Sequence, residues 1–125
     1  VNRKQDKDLL LSVIVRKGKR QFRYESIRQT QTDFPVLACA TVTGIVHGQE
    51  TWYFSIGARP MKAALLEKKW EIPRDASEEL IQKYAEEVAA SFTYGTNMRG
   101  SAEYRQHLAE VLVRREITSI LAEER

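Results

Sequence analysis

Residues 35–56 read PVLACATVTGIVHGQETWYFSI and decide the fold. The first half, residues 35–46, is rich in Val, Ala and Thr and carries apolar side chains on both sides of its alternation. This pattern predicts a strand that is largely buried on both faces. Gly48 then stands where a tight turn requires a positive φ angle. Alternation resumes in residues 51–56 with three large apolar side chains, Trp52, Phe54 and Ile56. We therefore predict a β-hairpin.

A second hairpin is predicted upstream of this stretch. Residues 9–15, LLLSVIV, have the composition of a strand and end at the turn-forming residues 16–19, RKGK. Residues 21–27 then alternate Phe, Tyr and Ser with charged residues, which is the period of two expected for a half-buried strand. We expect residues 1–8 to form a flexible segment and residues 9–125 to form a single domain.

The spacing of apolar residues becomes helical after Gly57. Pro60 occupies a first helical position, which predicts a short helix. The apolar residues that follow it at helical spacing are Leu65, Leu66 and Trp70. A longer helix is predicted next, capped by the pair Asp75 and Glu78. Its apolar arc consists of Leu80, Ile81, Tyr84, Ala85, Val88, Ala89 and Phe92.

The final helix is predicted to follow a loop over residues 93–100. Ser101 serves as its N-cap, with Glu103 in the first turn. Its apolar residues project to two roughly opposite sides at 100° per residue. One side holds Tyr104, Leu108, Val111 and Leu112, and the second holds Val113, Ile117, Ile120 and Leu121. Because one core does not easily cover both, we predict that the second side contacts the early hairpin or a missing partner surface.

The order of these elements is four strands followed by three helices. It predicts an α+β fold, in which an antiparallel sheet of three to four strands is followed by three helices packed on one face.

The composition is that of a globular domain, with 42% hydrophobic and 30% charged residues in 125. The longest apolar run, residues 9–15, is far shorter than the ~20 residues of a membrane-spanning helix. No leader-peptide pattern is visible, which favours the cytoplasm. The chain begins with Val1 rather than methionine, so we expect a fragment of a longer protein.

No catalytic residue or metal site is predicted from the residues alone. Cys39 is the only cysteine, so this chain alone cannot ligate an iron-sulfur cluster, and its mid-strand position favours a buried structural role. His47 and His107 have no second ligand at metal-binding spacing. The six glycines show neither the dinucleotide-binding spacing nor a phosphate loop. We therefore expect no complete active site.

The net charge of +3 is concentrated near the start of the chain, above all in residues 16–23. One hypothesis is an RNA- or anion-binding α+β module that uses this basic hairpin. The alternative is that residues 17–19 form a solvated turn whose lysines prevent an exposed strand edge from pairing with other chains.

Three stretches resemble the C-terminal domain of the FAD-binding subunit of molybdenum hydroxylases, the family of carbon monoxide and xanthine dehydrogenases. The most specific is residues 99–115, RGSAEYRQHLAEVLVRR, which is similar to the family's terminal helix. Residues 22–36 resemble an aromatic and basic segment that leads through an Asp-aromatic-Pro step into the next strand. Residues 55–63, SIGARPMKA, resemble the family's glycine turn between strand and helix.

This resemblance implies a domain that closes one side of a flavin site and docks partner subunits. In such a subunit, FAD accepts electrons from iron-sulfur clusters on one partner and passes them to NAD or another acceptor, while a molybdenum subunit performs the hydroxylation. Most FAD phosphate contacts come from N-terminal subdomains upstream. We therefore expect that this chain alone does not hold FAD tightly.

Three residues are the predicted cofactor contacts. Arg23 and Arg28 carry guanidinium groups that can donate to flavin carbonyls or phosphate, and Asp33 can orient them. The structural alternative is that the two arginines solvate a strand and its following loop, while Asp33 holds the turn before Pro35. A structural role is also expected for Arg59, which precedes a helix-starting proline.

Overall fold

The predicted hairpin of residues 35–56 forms the centre of an antiparallel sheet in the computed structural model. The structure describes residue 12 and residues 20–28, 35–59, 63–66 and 70–123. Its elements, in chain order, are β1 (Arg20–Arg28), β2 (Pro35–Val46), β3 (Gln49–Gly57), β4 (Ala64–Leu65), α1 (Glu78–Ala90) and α2 (Ala102–Ala122). The α+β class and the antiparallel sheet are confirmed, with two described helices rather than three.

The turn between β2 and β3 has the predicted geometry. Gly48 has a φ of 77°, and His47 joins it in the left-handed region with a φ of 53°. Two consecutive positive φ angles match the right-handed twist of the flanking strands, which explains the tight connection.

The four strands lie in the order β1-β2-β3-β4, all antiparallel to their neighbours. Cross-strand partners share a face, so the register divides the sheet into two sides. The inner face, which the helices cover, carries Leu37, Cys39 and Thr41 on β2 opposite large apolar residues of β3. Of the predicted first strand, residues 9–15, only Ser12 is described, and the predicted turn at residues 16–19 lies outside the described residues.

The predicted short helix after Pro60 is wrong within the described residues. Ala64 and Leu65 form β4 against the edge of β3, and the Leu66 N–H donates to the Phe54 carbonyl at 2.9 Å. Trp70 then bridges to Trp52 through two backbone hydrogen bonds of 2.9 and 3.4 Å. The extended chain satisfies backbone groups of β3 that a helix would leave open.

Helix α1 forms where it is predicted, but its cap is Ser77 rather than Asp75 and Glu78. The Ser77 hydroxyl accepts a hydrogen bond from the Leu80 N–H at 3.2 Å. Serine is among the strongest N-cap residues because its oxygen reaches the orphan N–H groups of the first turn. The buried members of the predicted apolar arc are Ile81, Ala85, Val88 and Ala89.

Helix α2 begins at the predicted cap, where Ser101 accepts a hydrogen bond from the Tyr104 N–H at 3.1 Å. The second apolar side contacts β1 of the early hairpin, as predicted, and the Gln21 side chain donates to the Ile120 carbonyl at 3.4 Å. The expectation that this side lies outside the core is wrong. Leu112 from the first side lies in the same core cluster as three members of the second, Val113, Ile117 and Ile120. Since α2 contacts the sheet and α1 together, it buries an arc of about 140° rather than a narrow stripe.

Aromatic side chains fill the end of the core under β3 and β4. Trp70 packs edge-on against Phe54 and Tyr84, with ring centroids 6.2 and 6.0 Å apart. Trp52 and Phe54 project to the same side of β3 and are fully buried. Such contacts add to the free energy gained from burial alone.

We predict that Ile117→Ala lowers the free energy of unfolding by about 2 to 5 kcal/mol, because it leaves a cavity between α2 and the sheet. Urea unfolding followed by circular dichroism measures the change. Met98→Ala is the control, since Met98 is 91% exposed and its truncation should cost less than about 0.5 kcal/mol. Equal effects of the two substitutions would contradict the described packing.

Candidate functional site

The predicted cofactor contact Arg23 lies between β1 and the C-terminal end of α2. Its Nε donates to the Ser119 hydroxyl at 2.8 Å, its Nη1 to the Phe22 carbonyl at 2.8 Å, and its Nη2 to the Glu123 carboxylate. The hydrogen bond and positive charge of Arg23 lower the pKa of Glu123 below its ordinary value. Arg23 therefore tethers the last helix to the first described strand.

The second predicted contact, Arg28, is exposed at the end of β1. The register with β2 shifts between Ile27 and Arg28, so the strand is irregular at this point. Five residues separate it from Arg23, or about 16 Å along an extended strand. The structure does not bring the two arginines together, and Asp33 lies outside the described residues.

A surface that the sequence analysis did not single out lies on the side of the sheet opposite the helices. We call it the outer sheet face. Phe22 and Tyr24 on β1 are 56% and 53% exposed there, although they alternate with residues that face the helices. Leu65 on β4 is 63% exposed on the same side. Its remaining members are Ala38, Ala40, Val42, Tyr53 and Ser55.

The central rows of the outer sheet face are uncharged and mostly apolar. Cross-strand rows run from Phe22 through Val42 to Tyr53 and from Tyr24 through Ala40 to Ser55. Neither row carries a charge, and the small residues of β2 form the floor between the aromatic residues of β1 and β3. A flat, uncharged surface with exposed rings is suited to packing against another flat aromatic group.

A buried arginine organises the loop before α2, at the end of the sheet where β2 begins. Arg105 is 1% exposed and donates to the carbonyls of Val36 and Gly95, both at 2.9 Å, and of Gly100. Its Nη2 also donates to the Asn97 side-chain oxygen at 2.7 Å. Burial, with a smaller effect of Arg99, lowers the pKa of Arg105. Arg105, which belongs to the stretch that resembles the family's terminal helix, therefore has a structural role in this arrangement.

The described residues contain no group of three or more His, Cys, Asp or Glu side chains arranged to hold a metal ion. In the same part of the chain, neither helix combines the length and the apolar content that crossing a membrane would require.

Comparisons with known proteins agree with this fold. The family model described as CO dehydrogenase flavoprotein C-terminal domain matches residues 22–120. No curated protein matches the chain.

Similar solved structures include quinoline 2-oxidoreductase from Pseudomonas putida 86, with a TM-score of 0.69, 15% identity and coverage of 84% of this chain. Reconstituted CO dehydrogenase from Oligotropha carboxidovorans has a TM-score of 0.66 and 19% identity, with coverage of 84% of this chain. CO dehydrogenase from Hydrogenophaga pseudoflava, which lacks the Mo-pyranopterin moiety of the molybdenum cofactor, has a TM-score of 0.60 and 19% identity, with coverage of 79% of this chain. The matched regions cover only 38%, 38% and 36% of those chains, respectively.

We predict that Arg105→Lys lowers the free energy of unfolding by about 3 kcal/mol, because one ammonium group cannot satisfy four oxygens that are fixed in different directions. Thermal and urea unfolding measure the loss. Arg114→Lys is the matched control at an exposed position of the same helix and should change stability by less than about 0.5 kcal/mol. An unchanged free energy of unfolding in Arg105→Lys would show that the hydrogen bonds of Arg105 do not stabilise the loop.

Proposed function

The chain belongs to the CO dehydrogenase flavoprotein C-terminal domain family, whose model matches residues 22–120, and from this membership we propose that its outer sheet face closes one side of a flavin site. In this proposal the chain is the C-terminal part of the FAD-binding subunit of a cytoplasmic molybdenum-hydroxylase-type oxidoreductase. The observation that carries the proposal is the pair of exposed rings, Phe22 and Tyr24, on a sheet face without charge in its central rows.

The described residues fit one part of FAD and not the whole of it. The rings of Phe22 and Tyr24 suit contact with the flat isoalloxazine, and the exposed Arg28 can donate to a flavin carbonyl or phosphate. The spacing of the glycines in the sequence matches no phosphate-binding loop, so most of the phosphate contacts are proposed to come from the rest of the subunit. FAD, when bound, would supply the electron-carrying chemistry. The chain's own residues would orient the ring and exclude water from one side.

The side chain of Arg23 is already engaged within the domain. Its three nitrogens already donate to Ser119, to the Phe22 carbonyl and to Glu123. A contact between Arg23 and the flavin would have to replace one of these hydrogen bonds or use the exposed side of the guanidinium group. Asp33 remains a proposed residue of the site, where its carboxylate would orient the arginine side chains.

The parent enzyme is proposed to pass electrons from iron-sulfur clusters through FAD to an acceptor, with iron-sulfur and molybdenum subunits as partners. The chain spans less than two fifths of the length of the solved chains that it matches. The rest of such a subunit would supply the other side of the flavin site.

The alternative function is RNA binding, because exposed rings on a sheet can also stack nucleobases. Of the basic residues in the early hairpin, Arg23 is paired with Glu123, and residues 16–19 lie outside the described part of the chain. A gel shift at low salt distinguishes the two functions. Retention of RNA by the 125-residue chain, with affinity falling steeply as salt is added, would favour the alternative.

We predict that a protein extended upstream with its natural sequence binds FAD and that the 125-residue chain alone does so weakly or not at all. In the extended protein, Tyr24→Ala should weaken FAD binding about tenfold, which corresponds to the loss of one ring contact of about 1.4 kcal/mol. Flavin fluorescence titration measures both affinities. Tyr104→Ala is the control, since Tyr104 is 47% exposed but lies on α2, away from the outer sheet face.

Two outcomes would contradict the proposed function. In the first, the extended protein purifies without colour and binds no FAD. In the second, Tyr24→Ala leaves the affinity for FAD as unchanged as Tyr104→Ala does. Tight FAD binding by the 125-residue chain alone would contradict the division of the flavin site between two parts of the subunit.

A further inference from the structure

A carboxyl group is buried in the middle of the interface between α2 and the sheet. Glu116 is 1% exposed, although most of its buried neighbours on α2 are apolar. Its Oε1 accepts hydrogen bonds from the Thr41 hydroxyl at 2.6 Å and from the Cys39 thiol at 3.4 Å. Its Oε2 has no hydrogen-bond partner among the described residues.

This environment favours the neutral form of Glu116. A carboxylate offers about four acceptor sites, and the described side-chain donors are two, both neutral and both on one oxygen. Burial raises the pKa of Glu116 from 4.5 to about 7. Hydrogen bonds from the Thr41 and Cys39 side chains and from the Glu25 backbone lower it, and the charge of Glu25 raises it, but burial has the largest effect. The described ion pairs give Glu116 no cationic partner.

The groups that face Glu116 from the packed elements do not supply the missing positive charge. On β1, Glu25 forms its own ion pair with Arg115 at 3.4 Å, nearer the surface. On β2, burial, followed by the charge of Glu116, raises the pKa of the Cys39 thiol well above its ordinary value. Beyond Cys39 lies the Tyr94 phenol, whose pKa is also raised by burial.

Helix α1 adds no charge to this part of the interface. It contributes Ile81, Ala85 and Val88 to the core. Its acidic residues Glu78 and Glu79 line a surface groove together with Arg114 of α2.

We propose that Glu116 is a proton-controlled latch, which holds α2 on the sheet while its carboxyl group is neutral and loosens the helix locally when the group ionises. The geometry carries this inference, because an ionised Glu116 would be a buried charge with one oxygen lacking any described donor. Opening the interface gives both oxygens access to water. The latch does not depend on the proposed flavin function.

The direction of the pH effect follows from proton binding. When α2 is packed on the sheet, which we call the closed form, the pKa of Glu116 is about 7, whereas a solvated glutamate has a pKa near 4.5. The stabilisation of the closed form by the bound proton is fully present below pH 4.5 and is lost as the pH rises through 7. Between pH 6 and pH 8, the equilibrium constant for opening should rise about tenfold.

Cys39 provides a built-in reporter, because it is the only cysteine and contacts the Glu116 carboxyl group. The experiment labels the 125-residue chain with a thiol reagent between pH 6 and pH 8. At each pH the rate is divided by that of the same chain unfolded in urea, which removes the intrinsic effect of pH on the thiol. The relative rate should rise about tenfold for the natural sequence and less than about twofold for Glu116→Gln, whose amide cannot ionise.

Two further variants keep the test decisive if Glu116→Gln does not fold. Thr41→Val removes a donor to the ionised carboxyl group, so the rise should move to higher pH. Glu123→Gln is the matched control, because Glu123 is an exposed carboxylate of the same helix region and its loss should leave the pH dependence unchanged. A flat profile for the natural sequence, or an equal rise in Glu116→Gln, would overturn the latch.

Discussion

Helix α2 buries one broad side against both the sheet and α1, and the arrangement of the rest of the molecule depends on this contact. Leu112, Val113, Ile117 and Ile120 are fully inaccessible there. Because the helices lie on one side of β1 and β2, the opposite side of these strands keeps its side chains exposed. The packing that builds the core therefore also creates the outer sheet face, which is the candidate site.

Arginines fix the two ends of α2, while apolar contacts fix its middle. At the N-terminal end, Arg105 connects the helix to β2 and to the preceding loop. At the C-terminal end, Arg23 reaches Ser119 and Glu123, and Arg74 donates to the Ile120 carbonyl at 3.2 Å. Glu116 is the polar exception between these ends.

Much of the fold could be predicted from short-range patterns. The alternation in β2 and β3, the turn at Gly48 and the Ser101 cap all depend on residues close in sequence. The helix after Pro60 was wrong because Leu65, Leu66 and Trp70 fit helical spacing, whereas the open edge of β3 determines their conformation. That edge is a long-range feature, and local spacing does not contain it.

The candidate site was harder to predict for a related reason. A period of two in residues 21–27 shows that Phe22 and Tyr24 share a side, but it does not show which side the helices cover. Large aromatic residues would ordinarily be assigned to the core. The position of α2 reverses this expectation and turns Arg23 and Glu25 towards the helix. The arginine that the resemblance selected is consequently a tether as well as a proposed ligand.

The two faces of the sheet separate stability from binding. The inner face has a continuous core of its own, in which Trp52, Phe54 and Ile56 of β3 pack with α1 and α2. The outer sheet face contributes little to that core, since Phe22, Tyr24 and Leu65 are more than half exposed. An apolar surface of this kind is characteristic of an interface, and the family match over residues 22–120 covers all of the sheet except the first two residues of β1. Under the proposed function, substitutions on the outer face would change flavin binding while leaving intact the packing that folds the domain.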